Sequence, residues 1–264
     1  MIKNFEFAIT LECNLKCKWC DHLCNTGLIQ PKHMTLDEIK KYAEIIIPSI
    51  GPLSRIAIAG GEPTLHPQIF DVLDILMSKI RPLLEIPILF FSNGVGEKVS
   101  AVLAKMKERY SVYESEFVNR NRGTVKALNT SSYQIFLIRS KTQNYQIYIR
   151  GGGNHIPVFR ASIDYMKEEN ILIKRCWLRD ACGYGITSRG IFVCVARAPA
   201  ISEVFELEPG FDHVPSLEEE NTQLKNFCKY CSIPCENITK VAFSKTWENR
   251  LSALSLESLI KRVE

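Results

Sequence analysis

Cys13, Cys17 and Cys20 stand in the run Cys-Asn-Leu-Lys-Cys-Lys-Trp-Cys, so one short loop presents three thiol side chains. Such a loop suits a single [4Fe-4S] cluster, although a cluster that only carries electrons usually has four cysteine ligands. Three ligands leave one iron open. An open coordination position separates a catalytic metal site from a closed structural one, and the loop therefore points to an enzyme. A zinc knot completed by Cys24 is the competing reading of the same thiols.

A second segment, Ile56-Ala57-Ile58-Ala59-Gly60-Gly61-Glu62-Pro63, reads as a buried strand ending in Gly-Gly-Glu-Pro. Taken together the two motifs resemble the radical S-adenosylmethionine (SAM) superfamily, in which a Cys-x3-Cys-x2-Cys loop follows the first strand. The resemblance implies that Cys13, Cys17 and Cys20 hold the cluster while SAM chelates the open iron. Electron transfer into the sulfonium then releases a 5′-deoxyadenosyl radical, which takes hydrogen from an unactivated carbon. Acid-base side chains cannot do this, so the cofactors carry the hard step. The resemblance also implies SAM contacts from Gly60, Gly61, Glu62 and Pro63, from Trp19 near the adenine, and from Ser92 and Asn93 in Ser-Asn-Gly. Glycines suit a place where backbone must pass close to a ligand, and Glu62 either accepts from the SAM ammonium or orients its loop. Loop packing for Trp19 and ordinary turn chemistry for Ser-Asn-Gly are the structural alternatives.

The chain has ten cysteines, and they fall into two groups, at residues 13–24 and at residues 176–235. In a protein without a secretory signal this reads as two metal sites rather than a disulfide framework. The later group resembles the auxiliary-cluster modules called twitch and SPASM. That likeness implies an auxiliary [4Fe-4S] cluster on Cys176, Cys194, Cys228 and Cys231, with Cys182 and Cys235 as substitutes; a zinc ribbon is the alternative. Cys182 and Cys235 are also candidate hydrogen-atom donors, as in some radical SAM epimerases. Arg150, opening Arg-Gly-Gly-Gly-Asn, is a candidate to pair with a substrate carboxylate or phosphate.

The elements that must position these residues follow from periodicity. Residues 5–11 alternate as a half-buried strand and deliver the chain into the cysteine loop. Thr35-Leu36-Asp37-Glu38 opens a helix with a capping box, and Pro48 marks its end. Strands at 55–59 and 86–91 alternate with helices at 67–80 and 97–109, and further strands are predicted at 133–138 and 145–149. This alternation implies a parallel sheet with its chemistry at the C-terminal strand ends. The short stretch between residues 110 and 165 leaves little room for a full set of units. The expected fold is α/β: a partial (β/α) TIM-like barrel of the radical SAM type over residues 1–170, a small cysteine-rich module over 171–240, and a terminal segment, 241–264, whose helix packs on the core.

At 264 residues the chain can bury one catalytic core and an appendage. A net charge of +4, spread along the sequence, gives no basic tract for nucleic acid, and the first ten residues read neither as a signal peptide nor as a membrane span. A cytoplasmic enzyme is expected, with no nucleic-acid or membrane partner and with a reductant such as flavodoxin or ferredoxin. In architecture it resembles the SAM-dependent dehydrogenases of aminocyclitol biosynthesis. The expected reaction is therefore oxidation, epimerisation or rearrangement of a small polar metabolite such as a sugar or cyclitol. Modification of a ribosomally made peptide is the alternative, and an iron-sulfur electron carrier or zinc-binding interaction protein is the alternative of another class.

Overall fold

The computed structural model describes residues 3–15, 20, 22–24, 32–110, 112–114, 136–140, 161–165, 167, 176–195, 197–231 and 243–256. Its strands are β1 (Phe5–Thr10), β2 (Ile56–Gly60), β3 (Ile88–Ser92), β4 (Val112–Glu114), β5 (Phe136–Ser140), β6 (Tyr184–Thr187) and β7 (Gly190–Phe192). They form one sheet in the order β4-β5-β3-β2-β1-β6-β7. Every neighbouring pair is parallel except β6 and β7, which close an antiparallel hairpin. The parallel, partial-barrel fold read from the sequence is what is found. Two details differ. β4 was not foreseen and lies outside β5, although it precedes β5 in the chain, and the strand expected at 145–149 lies outside the described residues.

The helices are α1 (Leu36–Ile46), α2 (Ile69–Lys79), α3 (Glu97–Arg109), α4 (Trp177–Cys182), α5 (Arg197–Val204), α6 (Leu217–Cys228) and α7 (Lys245–Ala253). Thr35 caps α1 as its sequence foretells: Glu38 N–H donates to Thr35 Oγ1 at 3.2 Å, and Thr35 N–H donates to Glu38 Oε2 at 2.7 Å. Such a box satisfies two donors that a helix start otherwise leaves open.

Strand alternation sorts the sheet into two faces. Phe5, Phe7 and Ile9 of β1, Ile56 and Ile58 of β2, and Ile88 and Phe90 of β3 share one core with Ile39, Tyr42 and Ile46 of α1 and Val72, Leu73 and Leu76 of α2. Each fully buried Ile or Phe there contributes about 1.5–3 kcal/mol. The intervening positions of β1 and β2 carry smaller or charged residues, Glu6, Ala8, Ala57 and Ala59, whereas those of β3 are Leu89 and Phe91. β7 serves both sides: Ile191 joins the helical core, whereas Phe192 joins a second cluster with Ala198, Ile201 and Val204 of α5, Phe227 of α6 and Trp247 and Leu251 of α7. The terminal helix packs in this second cluster, which also includes Leu23 and Ala161. Trp247 donates to Tyr230 O at 2.9 Å and meets the Phe205 ring edge-on at 4.9 Å, so the cysteine-rich segment supplies much of its buried surroundings.

Candidate active site and second cysteine group

β1 ends at Thr10, and the cysteine loop leaves from there. The Gly-Gly-Glu segment at the end of β2 extends the pairing past the sheet: Gly61 N–H donates to Thr10 O at 2.7 Å, and Glu62 N–H donates to Glu12 O at 2.8 Å. Gly60 has φ +129°, and a Cβ there would lie 2.1 Å from Thr10 O; a Cβ on Gly61 would lie 2.3 Å from Glu12 O and 3.1 Å from Cys13 Cβ. The sequence suggested glycine for approach to a ligand. The room is instead taken by the chain itself, and the glycines let β2 clamp the root of the cysteine loop.

Glu62 is fully buried. Its Oε1 accepts from Thr64 N–H at 3.2 Å, Thr64 Oγ1 at 2.8 Å and Ser92 Oγ at 2.9 Å, and its Oε2 accepts from Asn93 N–H at 2.6 Å. Those partners give it the orienting role of the two considered from sequence. Pro63 opens a short 3-10 turn, Pro63–Leu65, just after it. Asn93 continues the network: its Oδ1 accepts from Val95 N–H at 2.8 Å, an Asx-type turn, and its Nδ2 donates to Asn14 Oδ1 at 2.7 Å and faces Cys13 Sγ at 3.8 Å. Asn14 Nδ2 in turn donates to Val95 O at 2.5 Å. The loop after β1, the motif after β2 and the turn after β3 are therefore one hydrogen-bonded unit. Asn14 was missed in the sequence, where only its place beside Cys13 could have marked it.

Burial pushes the Cys13 thiol up, and the nearby Cys20 and Glu62 add to this, while Leu15 N–H and Asn93 act the other way. Cys13, Cys20 and Glu62 thus share one neighbourhood. Cys17 and Trp19 lie outside the described residues. Three soft thiol donors at the end of a strand, backed by a buried carboxylate network, suit a cluster better than a hard oxygen-liking cation. On the rim, Thr10 Oγ1 and His33 Nδ1 are 2.8 Å apart and His33 Nε2 is 3.3 Å from Glu12 Oε2. His66, edge-on to His33 at 5.3 Å, bonds Met34 O through Nε2 at 2.8 Å and accepts from Gln68 N–H through Nδ1 at 3.1 Å.

The second group forms from three separate segments. Cys176 precedes α4, Cys194 follows the β6-β7 hairpin, Cys228 ends α6 and Cys231 lies just beyond it. Burial pushes the Cys194 thiol far up, and Cys176, Cys231 and Cys228 push it further while Arg197 opposes them. Burial also raises Cys228, with Cys231 and Cys176 acting in the same direction. Cys176, Cys194, Cys228 and Cys231 therefore lie near enough to act on one another's thiols. Among the described residues no three His, Cys, Asp or Glu side chains close on one ion position. Four thiol donors suit either an iron-sulfur cluster or tetrahedral zinc.

Cys182 stands apart from the first site. Gly183 after it has φ +83°, with its Cβ direction against Asn4 O at 2.1 Å, and Arg55 Nη1 donates to Cys182 O at 3.0 Å. That is the N-terminal end of β1, while Cys13 lies past the C-terminal end. Six residues at about 3.3 Å each separate the two by roughly 20 Å along β1. Cys235 and Arg150 lie outside the described residues. No helix among the described residues is long and apolar enough to cross a membrane.

Residues 7–151 match the family model of the radical SAM superfamily. No curated protein sequence matches the chain. Among solved structures, BtrN in complex with AdoMet and 2-DOIA is similar over 92% of this chain and 95% of its own, at 14% identity and a TM-score of 0.44. Selenomethionine BtrN in an open conformation is similar over 92% and 94%, at 14% identity and a TM-score of 0.41. Streptococcus suis SuiB bound to the precursor peptide SuiA is similar over 40% of this chain at 19% identity and a TM-score of 0.30, and the match spans only 22% of SuiB.

Proposed function

The chain belongs to the radical SAM superfamily, whose cofactors are a [4Fe-4S] cluster and SAM, and from that premise we propose that it oxidises a small polar metabolite, a sugar or cyclitol carrying a secondary hydroxyl. The observation that carries this reading is the nearness of Cys176, Cys194, Cys228 and Cys231, whose thiols act on one another. That group would hold an auxiliary cluster. Gly185 of β6 is paired with Glu6 of β1, and its Cβ direction meets Cys194 O at 3.1 Å and Val195 Cα at 3.0 Å. The chain at Cys194 therefore crosses the face of the sheet opposite the helices, toward the end away from the cysteine loop.

When bound, the first cluster and SAM supply a 5′-deoxyadenosyl radical that removes one hydrogen atom from the substrate carbon. Cys13, Cys17 and Cys20 would hold that cluster, with Asn14, Glu62 and Asn93 fixing the loop that carries Cys13. Ala8, Ala57 and Ala59 are small residues on the sheet face opposite the helical core. A substrate lying there would have the radical source on one side and a one-electron acceptor on the other, the pairing an alcohol oxidation needs. A reductant of the flavodoxin or ferredoxin class would charge the first cluster.

The test is anaerobic turnover of reconstituted, reduced protein with SAM. Wild type should release 5′-deoxyadenosine, and a variant with Cys13, Cys17 and Cys20 all replaced by Ala should release none. Polyols deuterated at the carbinol carbon should then pass deuterium into 5′-deoxyadenosine and leave a ketone. Deuterium arriving only from a labelled peptide would overturn the substrate class, and release by the triple variant would overturn the cluster assignment.

A further inference from the structure

Arg197 is the first residue of α5 and is 8% exposed. Its Nη1 lies 3.5 Å from Cys231 Sγ, and its charge opposes the effect of the three neighbouring thiols on Cys194. Burying a guanidinium beside Ala198, Ile201 and Phe227 is costly unless negative charge accompanies it. An apolar residue would fill this position more cheaply if packing were all it did. α5 also begins three residues after Cys194, and the N-terminal end of a helix dipole is its positive end.

An iron-sulfur cluster on four thiolates carries net negative charge, and that charge grows by one on reduction. Its potential is set by net charge, hydrogen bonds to sulfur and solvent exposure. A fixed cation touching one ligand sulfur in a dry site stabilises the reduced state more than the oxidised state, and burial weakens solvent screening of that effect. We propose that Arg197 is a positioning residue for the electron-accepting step: a buried counter-charge that raises the potential of the auxiliary cluster so that it can take an electron from the substrate radical. This rests on the reading of the four cysteines given above. In that step the substrate carbon has already lost a hydrogen atom to the 5′-deoxyadenosyl radical. The hydroxyl proton then leaves to solvent, the C=O bond forms, and the remaining electron reduces the auxiliary cluster by one. A one-electron carrier protein of the flavodoxin or ferredoxin class takes it away.

The experiment uses the full chain in the triple Cys13, Cys17, Cys20→Ala background, where the auxiliary cluster is the sole redox centre, and follows its reduction by electron paramagnetic resonance in a potentiometric titration. Arg197→Gln should lower the potential by at least about 59 mV, a tenfold loss in the one-electron reduction equilibrium. Arg197→Lys, which keeps the charge, should hold the parental value. An unmoved potential in a loaded Arg197→Gln variant overturns the inference and leaves the auxiliary cluster standing. If Arg197→Gln loses its iron, Arg197→Lys decides: iron retained at the parental potential supports the counter-charge, and iron lost there too overturns it. A parent that binds no iron overturns the auxiliary cluster itself, and the inference with it.

Discussion

Glu62 shows how much one buried carboxylate can organise. Both of its oxygens face a backbone N–H, Oε1 that of Thr64 and Oε2 that of Asn93. In Glu62→Gln one of those donors must face an amide NH2 whichever way the side chain is turned, so the variant should lose about 1–3 kcal/mol of stability. Calorimetric titration with SAM should show weakened binding as well, because Asn93 and the cysteine loop are held by the same network; unchanged stability would show that the carboxylate is dispensable there. His66 makes a second prediction of this kind. Gln68 N–H occupies its Nδ1, which leaves Nε2 to carry the proton toward Met34 O. Burial lowers its pKa below the ordinary 6.5, with His33 adding to the effect against the Met34 hydrogen bond. A depressed folded-state pKa means that the neutral ring's contribution is fully present above pH 6.5 and is lost as pH falls through the folded value. The melting temperature should therefore fall between about pH 7.5 and about pH 5.5. His66→Gln, which can make both bonds without titrating, should fall less, and equal slopes would remove His66 from the account.

At the scale of elements, the active site is the place where three strand ends are tied together beyond the sheet. Gly61 makes that possible. Gly61→Ala would drive its Cβ into Glu12 O, 2.3 Å away, with Cys13 Cβ next at 3.1 Å. Both neighbours belong to the cysteine loop, so the strain should displace that loop at a cost of about 1–3 kcal/mol. Reconstituted Gly61→Ala should lose the iron of the first site while keeping that of the second, and a full iron complement would refute the clamp. The same elements show what the sequence could disclose. Capping at Thr35 and the order of strands and helices were legible because each is written in local spacing, whereas the alternation in β1 suggested a half-buried strand and all six of its residues are buried. The glycine motif was legible as important but not for its reason, because only the fold reveals that Thr10 and Glu12 fill the space beside it. β4 escaped because Val112–Glu114 is too short to show a period. Arg197 escaped because nothing around it in Val-Cys-Val-Ala-Arg says that Cys231, far along the chain, will lie against it.

Across the whole molecule, the two cysteine groups draw on different packing clusters, linked by Leu23, which follows the first cysteine loop and packs in the same cluster as Cys231. The helical core holds β1 to β3 against α1 to α3, while Phe192, α5, α6 and α7 build the second cluster around Cys231. Since the two clusters are built on different residues and distant sites usually behave additively, either metal site should be lost without the other even though Leu23 links the first loop to the second cluster. Cys194→Ala should bind about half the iron of wild type, as expected when one of two [4Fe-4S] clusters is lost. It should still cleave SAM to 5′-deoxyadenosine under reducing conditions, yet yield no ketone, because the substrate radical then has no acceptor. Cys182→Ala is the control from the same neighbourhood. Its thiol lies at the N-terminal end of β1, roughly 20 Å by strand rise from the loop that carries Cys13, so iron content, turnover and product stereochemistry should all match wild type. Loss of SAM cleavage in Cys194→Ala would mean that the two sites fold as one unit, and an altered product from Cys182→Ala would mean that the substrate reaches the far end of the sheet.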